Sequence, residues 1–98
     1  MKNTEKKLKI EVDNNKYTLE NNYRNCFSLE EFIEIYTDYF NPFDYIVGDY
    51  SYDKLRLKGF YKSDNKNISD CNDIKRLNNY IDNYCAYGAK YFLLKKVK

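Results

Sequence analysis

Alternating apolar and polar residues near the start of the chain predict a β-hairpin. Residues 8–12, LKIEV, alternate as a half-buried strand does. The polar residues 13–16 can reverse the chain, and residues 17–20, YTLE, can return as a second strand.

A helical spacing replaces this alternation after Ser28. Ser28 and Glu31 form a capping-box signature, which is typical of a helix start. One face of the predicted helix is apolar and carries Leu29, Phe32, Ile33, Tyr36 and Phe40. Asn41-Pro42 ends the helix. The opposite face is acidic and carries Glu30, Glu31, Glu34 and Asp38.

A second helix is predicted from residues 70–73 to about residue 87, and Gly88 is a natural left-handed stop. Its expected buried stripe is Ile74, Leu77, Ile81 and either Tyr84 or Cys85. Residues 91–97, YFLLKKV, begin with four apolar residues in a row. Such a run indicates an interior strand that is covered on both faces.

The stretch 43–61, FDYIVGDYSYDKLRLKGFY, predicts a hairpin with two possible registers. If residues 50–53 form the loop, Ile46 lies opposite Leu57, whereas an odd-length loop exchanges the faces of one strand relative to the other. Both registers place the same side chains together on one face, namely Lys54, Arg56, Lys58 and Phe60.

These elements predict a single α+β domain over residues 1–98, in the order β-β-α-β-β-α-β. We expect a mostly antiparallel sheet with two helices packed on one face, and one parallel strand pair formed by a right-handed crossover through the second helix. Gly48 and Gly59 are expected where a helix or a ring approaches the sheet closely. Residues 1–7 are expected to be a flexible basic start.

Composition excludes many enzyme classes. The chain has no His and three Gly, so it lacks the Ser-His and Cys-His nucleophile pairs, a P-loop and a dinucleotide fingerprint. We therefore expect no enzyme activity, no catalytic residue, no cofactor and no metal site. We expect structural rather than catalytic or metal-binding roles for the carboxylates of the hairpin: Asp53 forms the turn, and Asp49 pairs with Lys54.

Cysteine usage and hydropathy indicate the cellular compartment. Three cysteines, an odd number, match no disulfide framework and no C-x-x-C unit, so reduced thiols are expected. The start of the chain lacks the apolar segment of a secretory signal, and no run is long enough to span a bilayer. We expect a cytoplasmic protein without a membrane partner.

Two blocks of the chain carry a family resemblance. YIVGDYSYDKLRLKGFY and, after a helix, YCAYGAKYFLLKKVK resemble the YutD family, small proteins of Gram-positive bacteria and their wall-less relatives. The resemblance covers roughly residues 30–98 and implies a cytoplasmic α+β domain, with no catalytic residue to carry over. The family usually has Trp at the position of Tyr50 and often a second Cys at that of Ala89. These departures argue against a metal or redox role for Cys85.

The leading functional hypothesis is a binding module for single-stranded RNA or a ribonucleoprotein. Seventeen cations against fifteen anions leave a net charge of +2, so binding must come from local clustering. The expected site combines cations and aromatic rings: Lys54, Arg56, Lys58, Tyr50 and Tyr52. The alternative explanation is that the alternating Lys and Arg residues only form the solvent-exposed face of a half-buried strand.

The alternative hypothesis is a protein-interaction adaptor that uses the acidic helix face and the hairpin tip. Its expected residues are Glu30, Glu31, Glu34 and Asp38. In either case we expect a monomer or a weak homodimer.

Overall fold

A single antiparallel sheet organises the chain. The computed structural model describes residues 8–69, 71–84 and 90–97. The strands are β1 (Lys9–Val12), β2 (Asn15–Tyr23), β3 (Tyr45–Ser51), β4 (Lys54–Phe60) and β5 (Tyr91–Val97). Their order in the sheet is β1-β2-β5-β3-β4. The interior position predicted for the last strand is therefore confirmed.

Two helices accompany the sheet, α1 (Leu29–Ile35) and α2 (Leu77–Tyr84), with short 3₁₀ turns at Asp38–Phe40 and Ile74–Arg76. The predicted α+β class and element order are confirmed. The flexible start at residues 1–7, Cys85 and Gly88 lie outside the described residues, as does the side chain of Tyr84.

Both hairpins close through two residues with positive φ. These angles are 54° and 65° at Asp13 and Asn14, and 52° and 65° at Tyr52 and Asp53. Two such residues form the type I′ turn that matches the twist of adjacent strands. The loop between β3 and β4 is therefore two residues long, not the four residues 50–53.

The observed register of β3 and β4 keeps the faces expected for an even-length loop, displaced by two residues. Ile46 lies opposite Gly59 and Gly48 lies opposite Leu57. A Cβ atom at Gly48 would lie 2.1 Å from the Phe92 ring, and one at Gly59 would lie 2.3 Å from the ring of Phe43. The expected close approach of aromatic rings at both glycines is confirmed.

The two helices lie on opposite faces of the sheet, which corrects the expectation that both pack on one face. On one face, Phe32 of α1 packs in the cluster that contains Ile46 and Phe92. On the other, α2 and the turn before it pack against Val47 and Leu93. Because successive strand residues point to opposite faces, Ile46 and Val47 anchor different layers. The apolar run of the interior strand β5 requires cover on both sides.

The expected parallel strand pair does not form between the named strands. β5 runs antiparallel to both of its neighbours, β2 and β3. β4 is also antiparallel to β3, so β4 and β5 share a direction but are separated by β3. The crossover through α2 therefore passes over one strand. A single parallel bridge joins Tyr61 to Asp73.

The first helix is shorter than its periodicity predicts. The Ser28 hydroxyl accepts the N–H of Glu31, which confirms the cap, but Tyr36 is already extended with ψ 136°. The Tyr36 hydroxyl shares a 3.0 Å hydrogen bond with the hydroxyl of Tyr17, whose side chain is fully buried. Leu29 and Ile33, which were expected on the buried face, are 43% and 48% exposed.

Candidate functional site

β4 forms one edge of the sheet. Ser51 and Lys54 flank the two-residue turn and pair with each other. The residue pair that flanks such a turn is hydrogen-bonded, and along an antiparallel ladder hydrogen-bonded pairs alternate with pairs whose N–H and C=O groups point outward. The N–H and C=O groups of Leu55, Leu57 and Gly59 therefore point away from β3.

The hydrogen bonds of Tyr61 agree with this alternation. Its N–H donates to the Asn72 carbonyl at 2.7 Å, and its carbonyl accepts the N–H of Ile74 at 2.9 Å. The segment 72–74 thus covers the continuation of β4. Among the described residues, no strand pairs with the outer side of residues 55–59.

A cleft of about 440 Å³ runs beside this edge. Four successive residues, 56–59, line it. Successive side chains of a strand point to opposite faces of the sheet. A cleft lined by four successive residues must therefore lie along the edge of the strand rather than on one face. One wall is aromatic and contains Tyr39, Phe40 and Phe43. The other contains Cys71, Asn72 and Tyr80.

Arg56, one of the predicted RNA-binding cations, has a buried partner. Its Nε and Nη2 atoms donate to Oδ1 and Oδ2 of Asp49 at 2.9 and 3.0 Å. The Tyr80 hydroxyl donates to Oδ2 of the same carboxylate at 3.4 Å. Asp49 is only 1% exposed. The expected pairing of Asp49 with Lys54 is wrong, because the ladder places Arg56 opposite Asp49.

The other two cations differ in environment. Lys58 is half-buried, and its Nζ atom lies 5.1 Å from the ring centroid of Phe60 and 5.8 Å from that of Tyr80. These are cation–π distances. Lys54 is exposed beside the hairpin turn. The three cations share one face, as predicted, but Arg56 is paired with Asp49 of β3 and Lys58 lies over Tyr80 of α2.

The two predicted stacking tyrosines are separated. Tyr50 lies on the face opposite the cations, where its hydroxyl donates to the Glu31 carboxylate and, at 3.2 Å, to the carbonyl of Cys26. Burial, followed by the hydrogen bond to Glu31, holds the pKa of Tyr50 well above its usual range. The Lys90 ammonium lies 4.6 Å from the Tyr50 ring centroid. Tyr52 is 97% exposed at the tip.

The four acidic residues predicted on one helix face are divided between α1 and the 3₁₀ turn that follows it. All of them are exposed: Glu30, Glu31, Glu34 and Asp38. Glu31 is engaged with Tyr50, while Leu29 and Ile33 add exposed apolar surface to α1.

Residues 8–69, 71–84 and 90–97 contain neither a cluster suited to a metal ion nor a helix suited to spanning a membrane. In those residues, Cys, Asp and Glu side chains form no group of three or more that could hold a metal ion. In the same part of the chain, no helix has the length and apolar character needed to cross a membrane.

The cleft could not be derived from the sequence. Its aromatic wall follows the early end of α1, which the periodicity did not predict. Tyr39, Phe40 and Phe43 lie within three residues of Pro42, and this cluster of rings was the available signal. The edge position of β4 depends on strand order, for which the sequence has no local pattern.

Comparison with known proteins identifies the family. A sequence model described as "YutD-like: Putative antitoxin YutD-like" matches residues 11–95. The chain belongs to this family. The match begins well before residue 30, so the resemblance extends further toward the N-terminus than expected.

Two similarities to a Bacillus subtilis protein agree with this. "Putative antitoxin YutD" of strain 168 is 39% identical over 89 residues, which cover 91% of this chain and 98% of that protein. The solution NMR structure of B. subtilis yutD superposes with a TM-score of 0.79 at 36% identity. That alignment covers 98% of this chain and 87% of the other.

Proposed function

We propose that this protein is a non-enzymatic cytoplasmic binding module that neutralises a partner protein by direct contact along the edge of β4. The observation that carries the proposal is the open backbone of residues 55–59 beside the cleft. Strand addition to an exposed sheet edge is a recurrent mode of peptide recognition. The description of the B. subtilis relative as an antitoxin supports a partner protein that is harmful when free.

The geometry supports a protein partner better than RNA. Arg56 is bound to a buried carboxylate, Lys58 lies over aromatic rings, and Tyr50 is on the opposite face. A phosphate backbone would have to compete with Asp49 for Arg56, and a base stacked on Tyr50 would lie on the other face of the sheet. An edge strand instead offers a repeating series of donors and acceptors that an extended peptide matches and RNA does not.

A proline substitution tests the contact directly. Leu57→Pro removes an outward N–H, and proline is tolerated in edge strands when its position faces away from the ladder. Leu57→Ala is the matched control, because it removes the same side chain and keeps the N–H. Tyr39→Ala alters the aromatic wall at a side chain that is already 65% exposed, and therefore tests the cleft without threatening the fold.

The experiment combines capture with neutralisation. The tagged full chain is cross-linked in its host, and the captured protein is identified after ribonuclease treatment. That protein is then produced alone and together with each variant. We expect it to stop growth alone, and we expect Leu57→Ala, which loses side-chain contact but keeps the N–H, to restore growth far better than Leu57→Pro does. Leu57→Pro and Tyr39→Ala should restore it poorly. Release of the partner by ribonuclease, or equal protection by all variants, would refute the proposal.

A further inference from the structure

Charge and shape along β4 restrict which extended segment can pair with it. Resting on the proposed function, we infer that the partner contributes a strand in which acidic and apolar residues alternate, and that this strand becomes the sixth of the sheet beside β4.

The alternation follows from the two faces of β4. Side chains of an added strand point alternately to either face of the sheet. On one face they meet exposed Lys54 and half-buried Lys58, which lie on either side of Arg56, a residue already paired with Asp49. Opposite charges across neighbouring strands are favourable, so acidic residues fit beside the two lysines.

On the other face the added side chains meet Leu55 and Leu57, which pack against the core, and the aromatic wall of the cleft. Apolar side chains fit there, since they are removed from water together with the exposed rings. Tyr39, which is 65% exposed, would lose the most contact with solvent.

The same charges disfavour a second copy of this chain as the occupant. Pairing β4 with β4 of another copy brings cations of both copies together on one face, and like charges on facing strands are destabilising. β1, the other edge, is only four residues long and presents Lys9 as well as Glu11. It therefore lacks the acidic alternation. The occupant is a different protein.

Synthetic peptides test this chemistry on the full chain. Three seven-residue peptides share the same valines: one alternates them with glutamate, one alternates them with lysine, and one has the glutamates grouped at one end. Binding is followed by NMR through amide shifts and hydrogen exchange. We expect the alternating glutamate peptide to slow exchange at Leu55, Leu57 and Gly59, and to bind about tenfold more tightly than the lysine peptide.

Charge reversal provides the matched variant. Lys54→Glu changes an exposed side chain next to the turn, so the fold should persist, and it should reduce the preference for glutamate over lysine. Lys16→Glu, an exposed lysine of β2 away from the cleft, is the control for net charge.

Each result bears on one claim. Equal binding of the glutamate and lysine peptides, equal binding of the grouped peptide, or shifts away from β4 would overturn the acidic-strand inference. The proposed function would survive this if Leu57→Pro still blocked neutralisation. Conversely, selective binding of the alternating peptide without any neutralised partner would support the strand chemistry and remove the antitoxin role.

Discussion

At the residue scale, the carboxylate of Asp49 connects three parts of the molecule. It lies on β3, accepts hydrogen bonds from Nε and Nη2 of Arg56 on β4, and accepts one from the hydroxyl of Tyr80 on α2. A buried charge is tolerated only when hydrogen-bonded partners surround it. The Asp49 carboxylate therefore binds both Arg56 of β4 and Tyr80 of α2, and so links this helix to the β3–β4 hairpin.

Replacing Asp49 should therefore cost far more than a surface substitution. Asp49→Asn removes the buried charge and one acceptor, and we expect a loss of about 2–4 kcal/mol in the free energy of unfolding. Urea denaturation measures it. Asp53→Asn is the control, because Asn is as well suited to the positive φ at this exposed turn, and it should change stability by less than about 0.5 kcal/mol. Similar small effects at both positions would contradict a structural role for the Asp49–Arg56 pair.

At the element scale, the β3–β4 hairpin presents two different faces. Its inner cations are engaged with Asp49 and with aromatic rings, whereas Tyr52 and Lys54 extend freely at the tip. Within this hairpin, the tip has the exposed ring and charge that weak stacking on single-stranded RNA requires. RNA binding by this hairpin stays a prediction, and the structure shows which substitutions test it.

Tyr52 and Lys54 are the residues to change, because they can be altered without exposing Asp49. If the hairpin binds single-stranded RNA, Tyr52→Ala should weaken binding by about 1–3 kcal/mol with the salt dependence preserved. Lys54→Glu should weaken it and reduce the slope against salt concentration. Fluorescence anisotropy at low salt gives both quantities. Glu34→Gln on α1 is the control; unchanged binding in both hairpin variants would eliminate this RNA site.

At the scale of the whole molecule, the crossover from β4 to β5 is tied to the sheet by Asp73. This carboxylate caps the turn before α2 by accepting the Lys75 N–H, and it also accepts the Ser63 hydroxyl at 2.7 Å. Burial by itself raises the pKa of Asp73. These hydrogen bonds and the charges of Lys75 and Arg76 lower the pKa by more than burial raises it. The net result is a pKa below the usual value for aspartate.

This depressed pKa predicts a loss of stability in acid. The contribution of ionised Asp73 is complete above the unfolded-state pKa of about 3.9 and disappears as pH falls through the lower folded-state value. Asn keeps the cap acceptor but not the charge. The melting temperature of Asp73→Asn should therefore lie below that of the native chain at neutral pH, and the gap should narrow below about pH 4.

Thermal unfolding followed by circular dichroism from neutral pH to about pH 2 measures this gap. Asp64→Asn, at an exposed position in the preceding loop, should show no comparable narrowing. A gap that stays constant across the whole range would mean that the charge of Asp73 does not contribute.

Local patterns in the sequence determined the elements. Alternation located the first hairpin, the Ser28 cap located α1, and the apolar run at residues 91–94 placed β5 inside the sheet. Each of these signals lies within a few neighbouring residues, and backbone geometry converts it directly into a strand, a cap or a buried face. The glycines were equally informative, because only a residue without Cβ admits the rings of Phe43 and Phe92.

Strand order, the side of the sheet that each helix covers, and the partner of each charge were decided only by the tertiary structure. Lys54 and Arg56 are both close to Asp49 along the chain. The two-residue turn sets the register that places Arg56 opposite Asp49. Periodicity favoured a longer α1, but the backbone is extended at Tyr36, whose hydroxyl is hydrogen-bonded to that of buried Tyr17. The open edge of β4 likewise exists because β5 inserts on the other side of β3. These outcomes depend on contacts between residues far apart in the chain, whose energies no local pattern contains.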